Sequence, residues 1–168
     1  MGCVKMGGVL PPDHKGPIEV IDQTAYIENL MTQVIEGFCK PAQKRSWFFR
    51  SVLLNSSIMP LGGKVRAAPA IAQHLKFKVD ASQLYNVLSL RNAFAHHKTS
   101  SHPLLVVGKT PEVGSAHYQL QIISSSGRVT GKKREEALAE FRAAYKVANA
   151  NMEEFIRIVE EHNKRHAA

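Results

Sequence analysis

The stretch that most restricts the fold is the last one. Between about Arg134 and His162, the residues Leu138, Phe141, Tyr145, Ala148, Met152, Phe155 and Val159 recur at spacings of three and four. A helix of about 3.6 residues per turn brings such positions onto one stripe. At about 1.5 Å per residue the predicted helix is on the order of 40 Å long. A stripe of that length must be covered by other helices, so it predicts an all-α bundle. A dimer seam is the second way to cover it.

The rest of the chain supplies the covering helices. From Ile18 to about Phe38, Val20, Ile27, Met31, Val34 and Phe38 form a second apolar stripe, ended by Lys40-Pro41. A helix from Ala42 to about Ile58 is expected next, with Trp47, Leu54 and Ile58 on one side and Lys44, Arg45 and Arg50 nearby. Pro60-Leu61-Gly62-Gly63 reads as a turn. Val65, Ala68, Ala72 and Leu75 then predict a short helix that Pro69 bends or begins. Asp80 is a good N-cap for a helix whose buried face is expected to hold Leu84, Val87, Leu88, Phe94 and Ala95, ending near His97-Lys98. Leu104–Val107 and Tyr118–Ile123 then read as two strands of an exposed hairpin, with Pro111, Gly114 and Ser115 in the connection and Ser124–Gly127 closing the region. The expectation is an all-α bundle of about five helices with a small inserted hairpin at 104–123. It forms one domain, 18–168, after a Gly- and Pro-rich tail, 1–17.

Composition narrows the function classes. Mean hydropathy is -0.19, as in soluble globular proteins, and no apolar run reaches the roughly 18 residues of a membrane span. Met1-Gly2-Cys3 is no lipidation signal, because position 6 is Met6 where Ser or Thr is needed. There is no long apolar segment at the start of the kind that directs secretion. Two cysteines, Cys3 and Cys39, form neither a disulfide framework nor a zinc set, so a cytoplasmic setting is expected. The net charge of +8 favours anionic partners, nucleic acid first, although the positive residues read as spread along the chain. The basic group Lys40, Lys44, Arg45 and Arg50 reads as a solvated helix face, with plain DNA binding by that surface as the weaker alternative. Val107-Gly108-Lys109-Thr110 is not a phosphate-binding loop: Pro103 stands where its first glycine is needed, and Pro111 prevents the helix that should follow. His96, His97 and His102 lack the spacing of a zinc site, so no metal and no cofactor are expected.

The one dense group of chemically capable side chains is Arg91-Asn92-Ala93-Phe94-Ala95-His96-His97. Asn92 and His96, four apart, share a helix face. Arg91 lies about 100° from Asn92 and about 140° from His96 on an ideal helix. Arg91 and His96 therefore converge only if the helix ends before His96, or if two copies meet across a two-fold axis. A histidine can move a proton near neutral pH, an arginine can grip a phosphate in two-pronged fashion, and an asparagine can orient either. Together they suit RNA cleavage without metal, through attack of the ribose 2′-hydroxyl on the adjacent phosphate.

Arg91-Asn92-Ala93-Phe94-Ala95-His96 resembles the Arg-x4-His motif of the HEPN superfamily, including the polar residue directly after the Arg. Within that superfamily, the stretch from Pro60-Leu61-Gly62-Gly63-Lys64-Val65 through Ala72 to His96 is similar to the mannitol operon repressor family. The resemblance implies an all-α bundle that dimerises, with Arg91, Asn92 and His96 as catalytic residues of a metal-independent ribonuclease of toxin or defence type. Lys64, Arg66, His97 and Lys98 are the candidate nucleic-acid contacts, and an antitoxin or regulatory protein is a candidate partner. Three features depart from the pattern: Lys98 stands where many toxin members carry an aromatic residue, the predicted hairpin is an insertion relative to a plain bundle, and no DNA-reading helix-turn-helix is evident, which counts against a direct repressor role. The missing aromatic and the long apolar seam from Leu138 to Val159 keep a non-catalytic regulatory module open as the alternative.

Overall fold

The computed structural model describes residues 15–96, 119–124 and 126–166, and among them the chain is all-α with one small hairpin. The elements run α1 (Lys15–Cys39), α2 (Gln43–Phe48), α3 (Leu61–His74), α4 (Ala81–His96), β1 (Gln119–Ile123), β2 (Val129–Lys133) and α5 (Arg134–Arg165). A π-helical turn, Phe49–Leu53, continues α2.

The stripe on α5 is the buried spine of the bundle. Phe141, Ala148, Met152 and Phe155 have no exposed surface, Val159 is buried with them, and Leu138 and Tyr145 pack at the edge. Ala137 and Ala144 complete the buried face. α1 and α4 of the same chain cover it, so the stripe needs no second copy.

α1 runs parallel to α5. Near their N-termini Arg142 grips Glu19 with two bonds, Nε to Oε1 at 2.7 Å and Nη2 to Oε2 at 2.6 Å. Near their C-termini Asn163 Nδ2 donates to the Gly37 carbonyl at 2.8 Å and Lys40 Nζ to the Asn163 carbonyl at 3.2 Å. Gly37 permits the close approach, since a Cβ there would lie 3.1 Å from Val159 Cγ1. α3 follows the same direction: Lys64 meets Glu28, and the His74 ring stands edge-on to Phe38 at 5.4 Å. α4 returns the other way after Phe77 has packed on Phe155 at 5.3 Å. Three helix C-termini thus gather at one end, where their dipoles favour positive charge. Lys40, Lys164 and Arg165 supply it. There, partial burial and the charges of His166, His74, Lys40 and Arg165 hold the His162 imidazole below its usual range.

The structure moves several expected boundaries. Lys15, Gly16 and Pro17 belong to α1 rather than to a tail, because a proline in the first turn lacks only an N–H that has no helical partner there. Residues 1–14 lie outside the described residues. The expected helix over 42–58 is broken: α2 passes into the π-helical turn, where Leu54 N reaches the Phe49 carbonyl at 2.9 Å, and turns follow. Of the three residues expected on one side, only Leu54 is buried, while Trp47 is 73% and Ile58 60% exposed. α3 begins at Leu61, with Gly62 and Gly63 in its first turn, and Pro69 lies inside it rather than at its start. On α4, Leu90 and Ala93 are buried where Leu88 is only partly covered and Ala95 is exposed.

The hairpin is displaced from 104–123 to 119–133. β1 pairs antiparallel with β2, Ile123 opposite Val129 and Gln119 opposite Lys133. Gly127, at φ 81°, takes the left-handed conformation that lets the chain reverse, and Ser124 N closes the turn on the Arg128 carbonyl at 3.0 Å. The segment read as the end of the hairpin is its turn, and the expected partner strand Leu104–Val107 lies outside the described residues. Leu120 and Ile122 face the core.

Replacing Phe155 by Ala should destabilise the protein by about 3–5 kcal/mol, because a fully buried ring leaves a cavity along the spine. Val147→Ala, on the outer face of α5, should change stability by under about 0.5 kcal/mol. Urea unfolding of both variants checks the assignment of the two faces.

Candidate functional site

α4 is set locally. The Asp80 carboxylate caps it, accepting from Ser82 N at 3.0 Å and from the Ser82 hydroxyl at 2.5 Å. These bonds, the hydroxyl's first, hold the Asp80 carboxyl below the usual range. The helix then stays regular through His96. It does not end early, so one chain does not fold Arg91 back onto His96. Leu84, Val87, Leu90, Ala93 and Phe94 face the core. With that face fixed, Asn92 and His96, about 40° apart, point outward, and Arg91 lies on a flank, about 100° from Asn92 and about 140° from His96.

Asn92 and His96 are exposed, and Arg91 is partly covered. Arg91 Nη1 donates to Asn92 Oδ1 at 3.2 Å, which orients the guanidinium along the surface. The Arg91 charge also falls on Glu28 of α1. Glu28 is the centre of a cluster that reading the sequence missed. Its Oε1 accepts from Lys64 Nζ at 2.8 Å and from the Ser56 hydroxyl at 2.6 Å. Burial raises the pKa of this carboxyl, but the bonds from Lys64 and Ser56 and the charges of Lys64 and Arg91 outweigh it and hold the group below the usual range. Glu28, Ser56, Lys64 and Arg91 come from four separate stretches of chain. No local spacing pairs them, and the nearest sequence signal is an acid beside the apolar stripe of α1.

The expected nucleic-acid contacts divide three ways. Lys64 does not present its charge: its side chain is 3% exposed and its ammonium is bound to Glu28. The reason is the early start of α3, which puts Lys64 on the face turned to α1. Arg66, two residues on, is exposed. His97 and Lys98 lie outside the described residues, as does His102. Among the described residues no three His, Cys, Asp or Glu side chains are grouped to hold a metal, and no helix is long and apolar enough to cross a membrane.

Compared with family models, with curated proteins and with solved structures, the chain finds no match.

Glu28→Gln should destabilise the protein by about 3 kcal/mol, because it strands a buried ammonium. Glu28→Gln combined with Lys64→Met should recover most of that loss, since no buried charge remains. The native Glu28 contribution is complete above the unfolded carboxyl pKa of about 4.3 and fades as pH falls through the lower folded value. Acid titration of urea stability should accordingly show a shallower acid limb in the double variant than in the native protein.

Proposed function

We propose that the protein is a cytoplasmic, metal-independent endoribonuclease of HEPN type, acting as a homodimer on single-stranded RNA. The observation that carries this reading is the outer face of α4, where Arg91, Asn92 and His96 reach solvent around a guanidinium already oriented by an amide. Arg91 and His96 stand about 140° apart on a helix that stays regular, so they act together when two α4 helices face each other. Arg91 of one protomer then serves the same phosphate as His96 of the partner subunit.

In this reading His96 takes the proton of the ribose 2′-hydroxyl. The freed oxygen attacks the adjacent phosphorus, the bond to the 5′-oxygen breaks, and that oxygen leaves with a proton from water. The products are a 2′,3′-cyclic phosphate and a 5′-hydroxyl. Arg91 offsets the charge that grows on the phosphate, and Asn92 keeps the guanidinium in place.

A second reading, a non-catalytic regulatory module that captures a protein such as an antitoxin, is favoured by one observation. Lys64, an expected phosphate contact, is committed to Glu28.

Purified protein should cleave single-stranded RNA in the presence of EDTA and leave cyclic-phosphate ends. His96→Ala should lower the rate about 10²–10⁴-fold and Arg91→Ala about 10²–10³-fold, with folding unchanged at these surface positions. A folded His96→Ala that cleaves as fast as the native protein overturns the reading. Native protein without turnover, in which Arg91→Ala alters dimerisation or partner capture, supports the second.

A further inference from the structure

The positive charge is concentrated in one stretch. Between Glu36 and Asp80 there is no Asp or Glu, while eight Lys and Arg lie between Lys40 and Lys78. The remaining fourteen Lys and Arg equal the fourteen Asp and Glu, so this stretch accounts for the whole net charge of +8.

At its start stands an arm formed by α2 and the π-helical turn, Gln43–Leu53. The arm has no fully buried residue. It is fastened to α1 by polar bonds: Ser46 Oγ donates to Glu36 Oε1 at 2.9 Å, and Arg50 donates to Glu36 Oε2 and to Asn29 Oδ1, each at 3.3 Å. Phe49 turns inward against the core. The next two rings do not follow it. Trp47 is 73% exposed and Phe48 51%, and Lys44 and Arg45, both exposed, lie within one turn of them.

Large rings left in water on an ordered helix mark a surface that meets something. A protein helix or a second copy would cover them best with an apolar face, and two exposed cations within a turn oppose that. A single nucleic-acid strand suits all of these features. Its bases stack on rings, its phosphates take cations, and it needs no apolar surround. A duplex offers no free base faces to the rings. Glu36, the carboxylate to which the arm is fastened, is bonded by Ser46 and paired with Arg50, which offsets its repulsion of phosphate. π-Helical turns are also frequent at functional sites.

We propose that the arm Gln43–Leu53 is a binding site for single-stranded nucleic acid, with Trp47 and Phe48 as stacking surfaces and Lys44 and Arg45 as phosphate contacts. The site binds whether or not Arg91 and His96 cleave.

Trp47 is the only tryptophan, so its fluorescence reports the site directly. The probe is an oligodeoxythymidylate of about 12 nucleotides, within the range of known single-strand sites. It lacks the 2′-hydroxyl and cannot be cleaved by the proposed reaction, so failure of binding and failure of cleavage remain distinguishable. The expected result is saturable quenching of Trp47 that weakens as salt rises. Phe48→Ala should weaken binding about tenfold. Lys44→Ala with Arg45→Ala should weaken it further and lower the salt slope by about two. A heparin oligosaccharide, which has charge without bases, should leave the emission unquenched. All three positions are exposed, so the variants should fold. Unchanged emission with the oligonucleotide, equal quenching by heparin, or full affinity in both variants overturns the proposal. So does a blue shift that grows with protein concentration alone, which assigns the rings to a second copy.

Discussion

The long apolar seam of α5 is the constraint on which the structure depends. A helix of 32 residues with a stripe along its length is stable only if the stripe is covered throughout. α1, at 25 residues, covers much of it by lying parallel and close, which Gly37 allows. That choice has consequences. Parallel packing gathers helix C-termini at one end, and cationic residues collect there. It also fixes the direction of α3, and so places Lys64 level with Glu28 in the middle of α1.

The Glu28–Lys64 pair is the polar counterpart of that seam. Removing an ammonium from water is unfavourable unless a partner stands in place, and the half-covered carboxylate of Glu28, held by Ser56 as well, provides one. The pair does little to attract a ligand, because its charges answer each other. It ties α1 to α3, fixes the turn after the π-helical segment, and gives Arg91 a negative neighbour on one flank of α4. The site on α4 thus has an anchored side, Arg91, and a solvent side, His96, with Asn92 between them. In one protomer the two sides serve different surroundings, which is why the proposed chemistry calls for a second α4.

Much of this was legible from residue order where the cause is local. The α5 stripe, the α1 stripe and the Asp80 cap follow from helical periodicity and from hydrogen bonds made within one turn, and each stands where the sequence placed it. Trp47, Leu54 and Ile58 satisfy a helical spacing, yet the arm is fastened to α1 largely through polar bonds and turns follow it, which leaves Trp47 and Ile58 in water. The expected hairpin pairs the alternating run Tyr118–Ile123 with the apolar run Leu104–Val107, whereas among the described residues the strand Gln119–Ile123 pairs with Val129–Lys133. Gly127 makes the shorter reversal available, and nearest-neighbour pairing carries less loop-closure entropy. The basic charge reads as dispersed when counted by Lys and Arg alone. Its concentration emerges from where the acids are missing.

The sequence by itself determined the all-α class, the course of α5, and the presence of Arg91, Asn92 and His96 on one helix near its end. These follow from spacing, which chain order carries completely. Only the tertiary structure decided that Lys64 is spent on Glu28, that α4 stays helical through His96 so that His96 points outward while Arg91 lies on the flank, and that Trp47 and Phe48 face water beside Lys44 and Arg45. The physical reason is the same in each case. Burial and ion pairing depend on which distant segments meet, and the long seam of α5 decides that through packing rather than through any local signal.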